Sequence, residues 1–85
     1  MKPDCTAITD LDVKKSVEAR IIDEWDNGIL QGYKKNYPNA SVVVSLPNKN
    51  VDYWGDIFDE NGDLIARFSI IGDKVIMSSM KITEI

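Results

Sequence analysis

The dipeptide Asn61-Gly62, set between two runs rich in aromatic and β-branched residues, constrains this chain more than any other feature. It is a strong local signal for a β-hairpin, because asparagine and glycine tolerate the left-handed backbone that a tight reversal needs. With Asn61 and Gly62 as a two-residue type I′ loop, Glu60 faces Asp63, Phe58 faces Ile65, Ile57 faces Ala66, Asp56 faces Arg67, Gly55 faces Phe68 and Tyr53 faces Ile70. One face then carries Val51, Tyr53, Gly55 and Ile57 against Leu64, Ala66, Phe68 and Ile70, and is the core face. The other carries Asp52, Trp54, Asp56 and Phe58 against Ile65, Arg67, Ser69 and Ile71.

A second register is available. Asp59-Glu60-Asn61-Gly62 also suits a type I turn followed by a left-handed glycine in a bulge. That choice shifts pairing by one residue and moves Trp54 and Phe58 onto the face of Leu64 and Phe68. It also brings Asp52 and Asp56 onto an apolar face with no opposed cation, which costs several kcal/mol or forces protonation. The two-residue loop is therefore preferred.

The neighbouring segments agree on the same core face. Ser41 to Leu46 is β-branched and too short for a helix; closing it on the hairpin sets Leu46 opposite Val51, Val44 opposite Tyr53 and Val42 opposite Gly55. Gly72-Asp73 turns the chain into a last strand from about Lys74 to Ile82, with Val75 beside Ile70 and Met77 beside Phe68. Upstream, Thr9 or Asp10 caps a helix whose apolar stripe is Val13, Val17, Ile21 and Trp25, with Ile22 adjacent. The stripe continues through Ile29, Tyr33 and Tyr37, but each four-residue step rotates it by about 40°, and one sheet cannot bury it all. A break near Gly28 and a shorter helical segment from Ile29 to Asn36 follow, the latter ended by Pro38.

The expected fold is α+β: an N-terminal helix, broken near Gly28, packed on a four-stranded antiparallel meander in the order 1-2-3-4. Residues 1–9 read as a tail or short edge segment, and 10–85 as one domain. In outline this layout is similar to that of cystatin-like domains. The glycine-bearing strand turn and Trp-containing last loop of that family are missing, so the resemblance extends to layout alone.

Charge is informative by position. Residues 1–50 hold seven acids and seven Lys or Arg; residues 51–85 hold seven acids against Arg67, Lys74 and Lys81, so the net charge of −4 belongs to the hairpin half. Such a chain does not suit direct binding of nucleic acid, which requires a basic patch. No apolar run reaches the roughly 18 residues of a membrane span and no signal-peptide core follows Met1, so a cytoplasmic protein without membrane contact is expected. The single cysteine, Cys5, has no internal partner for a disulfide.

The catalytic inventory argues against an enzyme. The chain has no histidine, so the commonest general base and metal ligand is missing. Asp59-Glu60-Asn61-Gly62-Asp63 matches the middle of a calcium loop, but Ile57 and Phe68 fall where the first and twelfth ligands are required. No cofactor or metal site is expected.

What remains is a surface. The outer sheet face combines Val43, Trp54, Phe58, Ile65, Ile76, Met80 and Ile82 with few polar residues, which is more apolar than a solvated sheet face usually is. The N-terminal tail through Ala7 and Ile8, or the Ile29 to Tyr37 segment, are the intramolecular candidates to cover it. The alternative is a partner, with Asp52, Trp54, Asp56, Phe58, Asp59, Glu60 and Asp63 as the binding residues and Asp23, Glu24 and Asp26 at the end of the first helix as a secondary acidic patch. The expectation is a small acidic protein-binding module, of the inhibitor, immunity or anti-defence type, that blocks a basic nucleic-acid-handling protein. A homodimeric accessory protein that associates through the aromatic sheet face is the alternative. A small-molecule binder using a groove near Trp25 and Tyr33 is a third reading.

Overall fold

A computed structural model describes residues 1–46, 52–72 and 74–77. Two helices, α1 (Leu11–Asn27) and α2 (Gln31–Asn36), precede four strands, β1 (Ser41–Ser45), β2 (Tyr53–Phe58), β3 (Leu64–Ile71) and β4 (Lys74–Met77). The strands form one antiparallel sheet in the order β1-β2-β3-β4, so the fold is the expected α+β meander. The part of the expected last strand beyond Met77, including Met80 and Ile82, lies outside the described residues, as do Val51 and Asp73.

Asp10 starts α1: its carboxylate accepts from the backbone N–H groups of Asp12 and Val13 at 3.0 and 3.1 Å, satisfying donors that have no partner within the helix. The buried stripe is Val17, Ile21 and Trp25, while Val13 sits at its exposed margin. The helix ends where Glu24 takes over the last turn. Its carbonyl accepts from Gly28 and Leu30 at 3.1 and 3.0 Å, and its side chain accepts from Ile29 N–H at 3.1 Å. This break turns the chain so that Leu30 enters the core and Ile29 faces water, which advances the expected stripe by one residue.

The sheet contributes Val42, Val44, Ile57, Ala66, Phe68, Ile70 and Val75 to a single buried cluster with the α1 stripe, Leu30 and Ala40. At roughly 1.5 to 3 kcal/mol for each fully buried large side chain, this cluster dominates stability. Gly55 is essential to it, because a Cβ there would overlap the Phe68 ring.

Two registers differ from expectation. β1 pairs with β2 as Val42↔Ile57, Val43↔Asp56 and Val44↔Gly55, displaced by two residues from the expected Val44–Tyr53 pairing. An even displacement leaves every side chain on its own face, so alternation is blind to it. The β2–β3 hairpin resolves differently, because each candidate register holds over part of it. Its body pairs as preferred, Tyr53↔Ile70 through Ile57↔Ala66, but Phe58 faces Leu64 and the register shifts between Ile57 and Phe58. Ile65 is therefore the extra residue of a bulge. The tip is the bulged alternative, not the type I′ loop: Gly62 N–H donates to the Asp59 carbonyl at 3.0 Å, Gly62 has φ +86°, and no other kind of residue has a positive φ among the described residues. The cause is Asp59, whose carboxylate accepts from the N–H groups of Asn61 and Asp63, both at 2.9 Å. The bulge also turns Leu64, expected in the core, outward.

The first residues are held rather than trailing. Asp4 N–H donates to the Val42 carbonyl and its carbonyl accepts from Val44 N–H, both at 2.8 Å, forming a parallel bridge at the edge of β1. Pro3, Cys5 and Ile8 are buried. Burial first, then the anions Glu18 and Asp4, pushes the Cys5 thiol from its ordinary 9.0 to about 11.

Gly55→Ala is expected to destabilise the protein by about 1 to 3 kcal/mol in urea denaturation. The loss should shrink in a Phe68→Leu background, where the ring that causes the overlap is absent. Because the folded protein favours the neutral Cys5 thiol, its contribution is intact below pH 9 and is lost as the pH rises towards about 11. The stability profile of Cys5→Ala should lack that alkaline component, and native Cys5 should resist thiol reagents that label the unfolded chain.

Candidate functional site

Alternation along β2 and β3 places Trp54, Asp56, Arg67, Ser69 and Ile71 on the face opposite the buried cluster, as the preferred register requires. At the centre of that face Arg67 donates from Nε to Asp56 Oδ1 at 2.6 Å and from Nη2 to Oδ2 at 3.4 Å. The same guanidinium lies 5.5 Å from the centroid of the Trp54 ring. The hydrogen bond and the charge of Asp56 both raise the pKa of Arg67. Cross-strand pairing supplies this geometry: Asp56 faces Arg67 directly and Trp54 precedes Gly55, two positions upstream on the same face. A flat cation held on an indole makes a rigid, amphipathic platform.

Around this platform the face is partly open. Val43, Ile71 and Ile76 are 38, 43 and 45% exposed, and Trp54 and Phe58 are half-buried; Ile65, expected on this face, packs instead against the buried cluster, because as the extra residue of the bulge it leaves the strand's alternation. Of the intramolecular covers expected from the sequence, Ile8 joins the buried cluster and Tyr33 packs against it. Both are thereby drawn to the helix side.

The acids of the hairpin divide by what they hold. Asp52 accepts from Gly72 N–H at 2.7 Å, Asp56 is paired with Arg67, and Asp59 organises the turn. Glu60 and Asp63 are exposed, and neither side chain has a hydrogen-bond or ion-pair partner among the described residues. The tip borders a cleft of about 300 Å³ shared with the Asn36–Ala40 connection.

The secondary patch is more fully engaged. Glu24 pairs with Arg20 at 3.2 Å, Asp26 with Lys34 at 3.0 Å, and Asp23 accepts from the Asn27 side chain at 3.3 Å. These partners offset the cost of placing anions at a helix C-terminus. Among the described residues no three potential ligand side chains converge on a metal position.

Arg67, paired with Asp56 in the sequence pattern but outside the expected binding residues, belongs to this surface; its place beside Trp54 on the same face is the signal that identifies it. Leu64, expected in the core, faces out because the turn built by Asp59 shifts the register at its strand end.

A double-mutant cycle of Asp56→Ala and Arg67→Ala, followed by urea denaturation, should give a coupling below about 1 kcal/mol, since the Arg67 side chain is 44% exposed. The coupling should fall further in molar salt, and Arg67→Ala alone should alter Trp54 fluorescence.

No family model, no curated protein and no solved structure matches this chain.

Proposed function

We propose that this chain is a small, non-catalytic protein-binding module whose contact surface is the outer sheet face together with the hairpin tip, and whose partner presents a basic surface. The observation that carries this reading is the continuity of an aromatic platform, Trp54 over Arg67 with Phe58 alongside, with the uncompensated acids Glu60 and Asp63. Half-buried aromatic side chains supply affinity, and charge at the rim supplies encounter rate and orientation. Such a module acts by occlusion: it covers the basic surface of its partner, and a basic surface that handles nucleic acid is the class best matched by an acidic tip. This is the action of an inhibitor or immunity-type protein.

The exposed apolar side chains spread across this face, Val43 on β1, Ile71 on β3 and Ile76 on β4, favour a second reading, in which the same face pairs with another copy of the chain.

The test substitutes residues with no described structural bond. Glu60→Lys with Asp63→Lys should leave the fold intact, while Asp56 and Asp59 are avoided because they pair with Arg67 and build the turn. In affinity capture from host lysate at low and high salt, the native chain should retain a basic protein, the charge variant should lose it, and salt should weaken retention. Trp54→Ala should abolish capture at any salt. Retention of the same protein by native and charge-reversed chains alike would sink the charge-steered reading. A sedimentation mass that rises with concentration and resists salt would replace it with the homodimer.

A further inference from the structure

Two asparagines of this chain, Asn27 and Asn61, precede a glycine, and each follows an acidic residue. Asparagine is chemically labile, and most so before glycine: the backbone nitrogen of the next residue can attack its Cγ, and glycine sets no Cβ in the way. Closing that five-membered ring requires the asparagine ψ to rotate out of its folded value and the glycine N–H to leave its hydrogen bond. The two sites are alike in sequence. The fold makes that rotation costly at one and cheap at the other.

At Asn27 the rotation dismantles the end of α1. Gly28 and Leu30 donate to the Glu24 carbonyl at 3.1 and 3.0 Å, Ile29 donates to the Glu24 carboxylate at 3.1 Å, and the Asn27 side-chain amide donates to Asp23 at 3.3 Å. Leu30 is fully buried, so the chain beyond Asn27 cannot swing without drawing this side chain from the core. At Asn61 the rotation opens only a turn. Gly62 N–H donates to the Asp59 carbonyl at 3.0 Å and Asp63 N–H to the Asp59 carboxylate at 2.9 Å. Residues 60 to 64 are all exposed, and none belongs to the buried cluster. Local opening at such a tip lies at the low end of the free-energy range.

We propose that Asn61 is a modification site, deamidating spontaneously in the folded protein while Asn27 is protected. Gly62 N–H gives up its proton as the nitrogen bonds to Asn61 Cγ. The bond from Cγ to the side-chain nitrogen breaks, and that nitrogen leaves with the proton as ammonia. Water then opens the cyclic imide at either of its two carbonyls. Attack at Cγ leaves aspartate on an ordinary backbone; attack at the main-chain carbonyl leaves isoaspartate, whose backbone is one methylene longer. Either product adds a carboxylate beside Glu60 and Asp63. The inference concerns the chemistry of the chain itself and does not depend on the protein-binding reading.

The full chain is held in warm, mildly alkaline buffer and sampled over time. Peptide mass mapping follows the exchange of amide for acid at each asparagine, and an isoaspartyl methyltransferase reports isoaspartate. Asn61 should convert about tenfold faster than Asn27 or more, the factor imposed by exposing a buried leucine. In guanidinium, where neither constraint survives, the two should convert at similar rates. Asn61→Gln, whose ring would have six members, should show neither product at the tip. The proposal is overturned if the folded chain converts the two sites equally, if Asn27 leads, or if Asn61 stays intact when folded and reacts only in guanidinium.

Discussion

The close approach of the Phe68 ring to the backbone of Gly55 is the contact on which the rest of the sheet depends. Phe68 is fully buried and directly opposite Gly55, and its ring fills the space that any other side chain at position 55 would need. A slide of β3 by two residues would set Tyr53 or Ile57 beneath that ring. A slide by one would turn Trp54 inward and carry Asp56 into an apolar layer, away from the cation that neutralises it. One vacancy therefore fixes the inner face, and by the same pleat it fixes which aromatic and charged groups stand outside. The outer platform is a consequence of how the core closes.

The acidity of the hairpin half is less diffuse than its composition implies. Asp52 and Asp59 spend their carboxylates on backbone N–H groups, and Asp56 spends its own on Arg67. The anions at the end of α1 are engaged in the same way by Arg20, Lys34 and Asn27. Among the described hairpin residues, Glu60 and Asp63 are the acids whose side chains hold no part of the fold, and at about 0.1 M salt their charge reaches roughly 10 Å. Side chains that read as one acidic run in the sequence are structural parts and surface parts interleaved.

Much of the fold was legible because several independent patterns agreed on the same face: the α1 stripe, the alternation of β2 and β3, and the pairing of Val75 with Ile70. The misreadings have specific causes. The β1–β2 register is displaced by an even number of residues, which period-two patterns cannot detect. The stripe through Ile29 failed because the Glu24 cap rotates the chain and delivers Leu30 to the core. Pro3 and Cys5 are buried by a backbone bridge to β1 that leaves no periodic trace in so short a segment. Of the candidate surface, the outward residues of β2 were readable from alternation. The distinction between engaged and free carboxylates was not, since it depends on hydrogen bonds that only the folded backbone creates.

The bulge at Ile65 has a further consequence. It absorbs a one-residue difference between the turn that Asp59 builds and the register that Phe68 enforces. The tip is thereby uncoupled from the body: the loop can be set by its own local chemistry while the sheet keeps its inside and outside. A hairpin with such a joint tolerates lengthening, shortening or resequencing of its end without inversion of the faces below. The exposed carboxylates Glu60 and Asp63 thus sit on a part of the chain that is free to diverge.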